Sequence, residues 1–133
     1  MIKLFEKSDW AKIDDPVEPM VDVEPDLSAF DNGIGVTVEQ DGVVLGCGGI
    51  VLMSDDMGEV WIRISKKAKP IAVMTGLKAG LKILRNSYKD VALTCRVIEG
   101  FEKGHKLVKR LGFVTDHVED NYQVYIWQTQ QHC

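Results

Sequence analysis

The sequence lacks several features that mark common protein classes. Its three cysteines form no Cys-x-x-Cys pair, its three histidines are widely separated, and its longest apolar runs are short and interrupted by glycine. Scattered histidines and single cysteines predict no metal site, and the apolar runs are too short to span a bilayer. The first ten residues carry acids where a signal peptide would be apolar. We therefore expect a cytoplasmic protein with reduced thiols and no membrane partner.

Basic residues are also missing from long parts of the chain. No Lys or Arg lies between residues 13 and 62 or after residue 110. Residues 61–111 hold thirteen basic residues against three acids, whereas residues 1–31 hold nine acids against three lysines. This asymmetry favours an anionic ligand for the basic half, and the alternative is a solvated face whose charge is balanced across the fold. A phosphorylated cofactor fits better than nucleic acid, because aromatics are not interleaved with the basic residues and the net charge is −4.

The length and the element pattern predict one α/β (α+β) domain over residues 1–133. A short strand at the start is followed by a short helix that Ser8 or Asp9 would cap. Residues 14–31 contain three prolines and many acids, which predicts an irregular acidic loop.

A three-stranded meander is predicted next. The runs GIGVTVEQ and VVLGCGGIVLM flank Asp41-Gly42, a dipeptide typical of a type I′ hairpin turn. The run GEVWIRIS is the third strand. Its alternation separates two faces, with Val60, Ile62 and Ile64 on one and Trp61, Arg63 and Ser65 on the other.

A helix is predicted over residues 70–88, opened by Pro70. Its apolar residues at helical spacing are Ile71, Met74, Leu77, Leu81, Leu84 and Tyr88. Its basic ridge is Lys78, Lys82, Arg85 and Lys89. Gly76 and Gly80 lie on a third line of small residues. A glycine inside a helix costs up to about 1 kcal/mol relative to Ala, so the pair predicts close packing.

The rest of the chain predicts a strand at 89–97, a helix over 99–111 ended by Gly112, and a last strand in NYQVYIWQT. The strands at 59–65 and 89–97 should be parallel, because a helix connects them as a right-handed crossover.

Three lysines, Lys66, Lys67 and Lys69, directly precede Pro70. The amino end of a helix is already the positive end of its dipole, and lysine is favoured at the other end. The placement predicts that an anion binds there.

This element order, the basic loop and the string KLVKRLGF in the second helix resemble the GNAT (GCN5-related N-acetyltransferase) fold over most of residues 33–127. The resemblance implies a mixed, mostly antiparallel sheet with a central β-α-β unit and two main helices. It also implies an N-acetyltransferase that passes an acetyl group from its cosubstrate, acetyl-CoA, to an amine acceptor. The strand after the middle helix would diverge to leave a slot for the pantetheine arm.

The same resemblance implies the site residues. The residues expected to hold the pyrophosphate, mainly through backbone amides, are Ile64, Ser65, Lys66, Lys67, Ala68, Lys69 and Ile71. Glu59 is the candidate base, with a solvated strand-end glutamate as the alternative. Val108 stands where the family has a tyrosine that protonates the thiolate. His105 is therefore the candidate proton donor, with a surface histidine as the alternative. Trp61 and Arg63 are candidates for the acceptor slot, or core residues.

The layout also resembles a narrower group, small GNAT-like proteins of tailed bacteriophages that include an internal virion protein. That resemblance implies an alternative function, a catalytically degenerate interaction protein in the host cytoplasm or the virion. Its acidic and basic regions would then contact a virion partner or form a homo-oligomer, in a salt-sensitive manner.

Overall fold

The computed structural model describes residues 2–16, 31 and 33–127 of the chain. The strands are β1 (Ile2–Leu4), β2 (Gly33–Gln40), β3 (Val43–Leu52), β4 (Met57–Ile64), β5 (Ala92–Ile98), β6 (Phe113–Glu119) and β7 (Tyr122–Trp127). The helices are α1 (Lys7–Lys12), α2 (Pro70–Ser87) and α3 (Glu102–Leu111).

The seven strands form one sheet in the order β1-β2-β3-β4-β5-β7-β6. Every neighbouring pair is antiparallel except β4 and β5, which are parallel and are connected by α2. The α/β class, the mostly antiparallel sheet and the central β-α-β unit are therefore confirmed.

The β2–β3 hairpin turns at the predicted dipeptide. Asp41 and Gly42 have φ angles of 52° and 78°, the positive values that a type I′ turn needs at both central positions. The prediction of this turn is confirmed.

Strand β6 was absent from the predicted order, which ended with a single strand. In the structure β6 and β7 form a hairpin whose turn residues, Asp120 and Asn121, have φ angles of 48° and 70°. Only Phe113 of β6 is buried, so the strand shows no apolar alternation that would signal it. Pairing with β7 at the sheet edge, rather than its own pattern, makes this segment a strand.

Helix α2 packs on one face of the sheet and forms the centre of the core. Among the side chains of α2 that the structure describes, the buried apolar ones are Val73, Leu77, Leu81 and Leu84. They pack against strand residues on the same face of the sheet, such as Val60 of β4 and Leu93 of β5, and against Leu107 of α3. The predicted stripe does not include Val73, which lies four residues before Leu77 on the same side of the helix. The side chains of Ile71 and Met74 lie outside the described part.

Helix α1 begins one residue before the predicted caps. Its N-cap is Glu6, and Asp9 is the third helical residue, with its carboxylate accepting a hydrogen bond from the Glu6 amide at 3.0 Å. Asp9 is also fully buried and accepts a 2.9 Å hydrogen bond from Thr37 Oγ1 of β2. Asp9, which the sequence predicts as a cap, therefore links α1 to the sheet through its hydrogen bond with Thr37.

Helix α3 ends as predicted, with Gly112 in the left-handed conformation at φ 109°. Most of the predicted acidic loop at 14–31 lies outside the described residues, which include only its two ends. Among the described helices, none is both long and apolar enough to cross a membrane.

Candidate active site

Strands β4 and β5 pair over a short stretch and then separate. Their parallel register joins Met57 to Ala92, Gly58 to Leu93 and Glu59 to Thr94. Beyond Glu59 the two strands share no further pair in the described chain, and β5 pairs with β7 from Thr94 to Ile98. The unpaired edges of the two strands leave a divergence in the middle of the sheet, as the resemblance implied.

The lysine loop lies at the end of β4, next to this divergence. Lys66, Lys67 and Lys69 are exposed, and Ala68 is half-buried. Ser65 is buried, with 3% of its surface exposed. Three exposed positive side chains therefore lie directly before the first turn of α2.

The amides of the loop are less available than the resemblance implied. The Lys66 amide donates to the Asp15 carbonyl at 2.9 Å, and the Lys67 amide donates to Ser65 Oγ at 3.1 Å. The Ser65 and Ala68 amides also donate within the protein, to the carbonyls of Leu45 and Ser65. These four amides are engaged and are not free for an anion in this structure.

The first turn of α2 supplies other donors. Its N-cap, Lys69, makes no capping side-chain hydrogen bond, and the first turn contains no acid. The first amides of a helix have no partner inside the helix, and Pro70 has no amide to offer. The amides of Ile71 and Ala72, with the three lysines, are therefore the groups suited to an anion here.

Glu59 lies where the two strands separate. Its half-buried carboxylate pairs with Arg96 of β5, with Arg96 Nε 3.0 Å from Glu59 Oε2 and Arg96 Nη2 3.5 Å from Oε1. The Arg96 guanidinium also lies over the ring of Tyr122, 5.7 Å from its centroid. The Glu59 carboxylate thus lies beside the divergence, paired with a guanidinium of the neighbouring strand.

His105 lies elsewhere, between α3 and the sheet. Its Nε2 is 3.1 Å from the Ile98 carbonyl, which only accepts, so Nε2 carries the proton. Its Nδ1 then accepts a 2.7 Å hydrogen bond from the hydroxyl of Tyr125, which is 1% exposed. Both ring nitrogens are engaged, and no hydrogen bond among the described residues joins His105 to Glu59.

A cleft of about 180 Å³ opens on the other face of the sheet from α2. Its described lining residues are Phe5, Lys7, Asp31, Gly33, Ile34, Gly35, Ile50, Val51 and Trp61. Trp61 packs edge-on against Phe5 with ring centroids 4.7 Å apart, and Lys7 pairs with Asp31 at 2.6 Å. Glu59 shares the sheet face of Trp61, two residues away, so the cleft lies beside the candidate base.

Arg63 does not line this cleft. Its guanidinium lies over the Trp10 ring, 4.4 Å from the centroid, and its Nη2 donates a 2.8 Å hydrogen bond to the Ile13 carbonyl. Trp61 therefore lies at a cleft and Arg63 does not, and the contact of either residue with an acceptor stays a prediction.

The described cysteines are core residues. Cys47 and Cys95 are free thiols with 0% and 6% of their surface exposed. Burial raises the pKa of each thiol to about 12, so neither is a nucleophile at neutral pH. Within the described residues no three His, Cys, Asp or Glu side chains are grouped to hold a metal ion.

Three site partners were missed from the sequence: Arg96, Tyr125 and Asp15. Arg96 is 37 residues from Glu59, Tyr125 is 20 from His105, and Asp15 is 50 from Ser65. Only the folded sheet brings each pair together, and no local pattern signals them.

Neither protein-family models nor curated proteins give a match to this sequence. Solved structures do match it. A putative acetyltransferase from Salmonella typhimurium, solved with its cofactor acetyl-CoA, superposes with a TM-score of 0.74 at 13% identity, covering 99% of this chain and 95% of that one. The Campylobacter jejuni N-acetyltransferase PseH in complex with acetyl coenzyme A gives 0.63 at 14% identity, covering 98% and 100%.

A third structure is a GNAT-family acetyltransferase from Streptococcus pneumoniae. It gives a TM-score of 0.66 at 17% identity and covers 95% of both chains. All three are bacterial proteins, and they lend no support to the narrower phage resemblance. Each of the three superpositions covers at least 95% of both chains. The chain has the fold of the GNAT N-acetyltransferases.

Proposed function

We propose that this protein is an N-acetyltransferase that moves an acetyl group from acetyl-CoA to an amine. The observation that carries the proposal is the juxtaposition at the end of β4. There the divergence from β5 lies next to a three-lysine loop and an uncapped helix start without acids. An elongated ligand with an anionic end fits this arrangement, and similarly folded acetyltransferases hold acetyl-CoA.

The residues proposed to bind the pyrophosphate are those whose donors lie outside the four engaged loop amides. The amides of Ile71 and Ala72 and the side chains of Lys66, Lys67 and Lys69 would hold the pyrophosphate. Ser65 and Ala68 shape the loop, and Ile64 ends the strand whose open edge would follow the pantetheine arm. Bound acetyl-CoA would supply the activated thioester.

Glu59 is the proposed base. Its carboxylate would take a proton from the acceptor ammonium, directly or through a water, so that the amine nitrogen can attack the thioester carbonyl. The new bond is C–N, the bond that breaks is C–S, and the thiolate carries away the electron pair. Val108 offers no proton to that thiolate. The acylated nitrogen loses its second proton as the C–S bond breaks, and a water could pass that proton to the thiolate. His105 is the proposed donor only as an imidazolium whose Nε2 leaves the Ile98 carbonyl, because a neutral imidazole is too weak an acid to protonate a thiolate.

The acceptor is proposed to approach from the cleft beside Glu59. Trp61 and Phe5 give it an apolar, aromatic wall, and Lys7 and Asp31 place one charge of each sign at its side. A cleft of about 180 Å³ is smaller than the roughly 300–1,000 Å³ typical of pockets for drug-sized ligands. A small amine is therefore the fitting acceptor class.

The test is calorimetric titration with coenzyme A. Wild type should bind, and the double variant Lys66→Glu/Lys67→Glu should bind at least about 10-fold more weakly, because it reverses two charges beside the pyrophosphate. The matched control is Lys103→Glu/Lys106→Glu, the same charge change at two exposed positions of α3. Equal loss in both double variants would indicate a general charge effect and not a site.

Absence of wild-type binding at millimolar coenzyme A would defeat the enzyme proposal. The retained fold would then serve as a binding platform, since function resides in sites and not in folds. Sedimentation at low and high salt would test that alternative, which expects a salt-sensitive oligomer.

A further inference from the structure

The short segment after α1 is fastened to the lysine loop at several points. Pro16 forms an antiparallel bridge with Ser65, and the Asp15 carbonyl accepts the Lys66 amide at 2.9 Å. Two residues earlier the Ile13 carbonyl accepts a 2.8 Å hydrogen bond from Arg63, and Ile13 is 1% exposed. The chain therefore runs along the end of β4 as a docked strap, here defined as residues 13–16.

The side chain of Asp15 extends this contact into the loop. Its Oδ1 accepts a 2.7 Å hydrogen bond from Ser65 Oγ, and the same Oγ accepts the Lys67 amide at 3.1 Å. A chain of hydrogen bonds thus leads from the Lys67 amide through a buried hydroxyl to a carboxylate. The acceptor at its end is charged, which makes such a bond stronger than a neutral one.

We propose that Asp15 is a positioning residue of the anion-binding loop. Its carboxylate and carbonyl fix Ser65, Lys66 and Lys67, so that the lysine side chains project from a pre-formed backbone. The loop contains no glycine and must keep one particular course into Pro70. The inference rests on the proposed function for its ligand, but the bracing of the backbone is independent of it.

A negative charge beside an anion site also has an opposing effect. Asp15 would repel a phosphate through the same charge that strengthens its bond to Ser65. The positioning effect should prevail, because a hydrogen bond to a charged acceptor is stronger than a neutral one and the carboxylate is turned towards Ser65. Asp15→Asn separates the two effects, since it keeps an acceptor oxygen and removes the charge.

The experiment uses the full chain and two readouts. The first is hydrogen exchange at the Lys66 and Lys67 amides without ligand. The second is the dissociation constant of coenzyme A. Asp15→Ala and Ser65→Ala should each speed exchange and weaken binding by about 10-fold, part of the value of one charged hydrogen bond. Asp15→Asn should restore most of the loss, and Asp14→Ala, the exposed neighbouring acid, should change neither readout.

The double variant Asp15→Ala/Ser65→Ala should lose little more than either single variant, because both remove the same bond. Additive losses of coenzyme A affinity would refute the positioning role of Asp15. Tighter coenzyme A binding by Asp15→Ala, or unchanged amide exchange in both single variants, would refute it as well. If wild type does not bind coenzyme A, the proposed function fails, and exchange alone decides the brace. Faster exchange then supports it, and unchanged exchange overturns it.

Discussion

Gly80 of α2 lies against the side chain of Val36 in β2. A Cβ built on Gly80 would lie 2.6 Å from Val36 Cγ2, and one on Gly76 would lie 2.8 Å from Val38 Cγ2. The two glycines let the helix approach the sheet closely, which explains why a helix interior tolerates both. The close packing predicted from their spacing is confirmed.

Gly80→Ala should therefore destabilise the protein by about 1–3 kcal/mol. Overpacking costs this much when a stiff, β-branched neighbour has to move, which outweighs the roughly 1 kcal/mol that Ala gains over Gly in a helix. Urea denaturation measures the change. Asn86→Ala, at an exposed position of the same helix, is the control and should be neutral or stabilising. Val36→Ala should partly rescue Gly80→Ala, and purely additive losses would contradict the contact.

The sequence predicted the elements whose patterns are set by burial. Helix α2 was predicted because its buried residues recur at helical spacing. The β2–β3 turn was predicted because Asp41-Gly42 suits the positive φ angles of a type I′ turn. Strand β6 could not be predicted, because almost all its residues are exposed at the sheet edge and show no alternation of apolar and polar side chains. The N-cap of α1 is Glu6 and neither Ser8 nor Asp9, because Asp9 accepts the Glu6 amide from the third helical position and also accepts a hydrogen bond from Thr37.

The candidate site was predictable only in part. The lysine loop stood out because its charge opposes the helix dipole, which is a local property of the sequence. Arg96 and Asp15 were missed because each meets its site partner only through the folded sheet. The sequence likewise does not show whether a backbone amide already donates a hydrogen bond within the protein. The amides of residues 65–68 do, so the anion is assigned to the Ile71 and Ala72 amides and the lysine side chains.

Asp9 should make the protein sensitive to acid. Burial raises the pKa of its carboxyl, but hydrogen bonds from the Glu6 amide, Thr37 and Lys12 outweigh this, so the pKa lies below its ordinary value. A lowered pKa in the folded state gives stability that is present above the unfolded pKa of about 3.9 and is lost as pH falls through the folded pKa.

Asp9→Asn should cost about 2–4 kcal/mol of unfolding free energy at pH 7, because it removes a buried charge from its paired donors. Denaturation from pH 7 to pH 3 checks this. The gap between wild type and variant should stay constant down to about pH 5 and narrow below about pH 4. A gap that widens at low pH would contradict the assigned direction. The exposed Asp55→Asn is the control.

Cys47 and Cys95 should resist alkylation in the folded protein. With a pKa of about 12, each thiol is almost wholly protonated at pH 8, whereas about a quarter of an ordinary thiol of pKa ~8.5 is ionised. Peptide mapping after iodoacetamide treatment should show both unmodified in buffer and both modified in urea. Rapid modification in buffer would show that the core around them opens.

Tyr125→Phe should destabilise the protein by about 1–2 kcal/mol. The change removes the buried hydroxyl that donates to His105 Nδ1 and leaves that nitrogen without its donor. Tyr122→Phe is the matched control, because it removes a hydroxyl but keeps the ring beneath Arg96. Equal stability of the Tyr125→Phe variant and wild type would mean that the 2.7 Å contact contributes nothing net to folding.

Glu59→Gln should lower kcat by about 100-fold or more if Glu59 is the base, a typical loss for removing such a group. Its ion pair with Arg96 is partly exposed and is worth only about 0–1 kcal/mol, so the variant should remain folded. Coenzyme A affinity should not change, because the carboxylate lies five residues before the end of β4 and away from the lysine loop. Acetylation of a small amine, followed by thiol release, measures the rate, with the exposed Glu99→Gln as control. An unchanged kcat would remove Glu59 from the reaction, and weaker coenzyme A binding with an unchanged kcat would make it a ligand-positioning group instead.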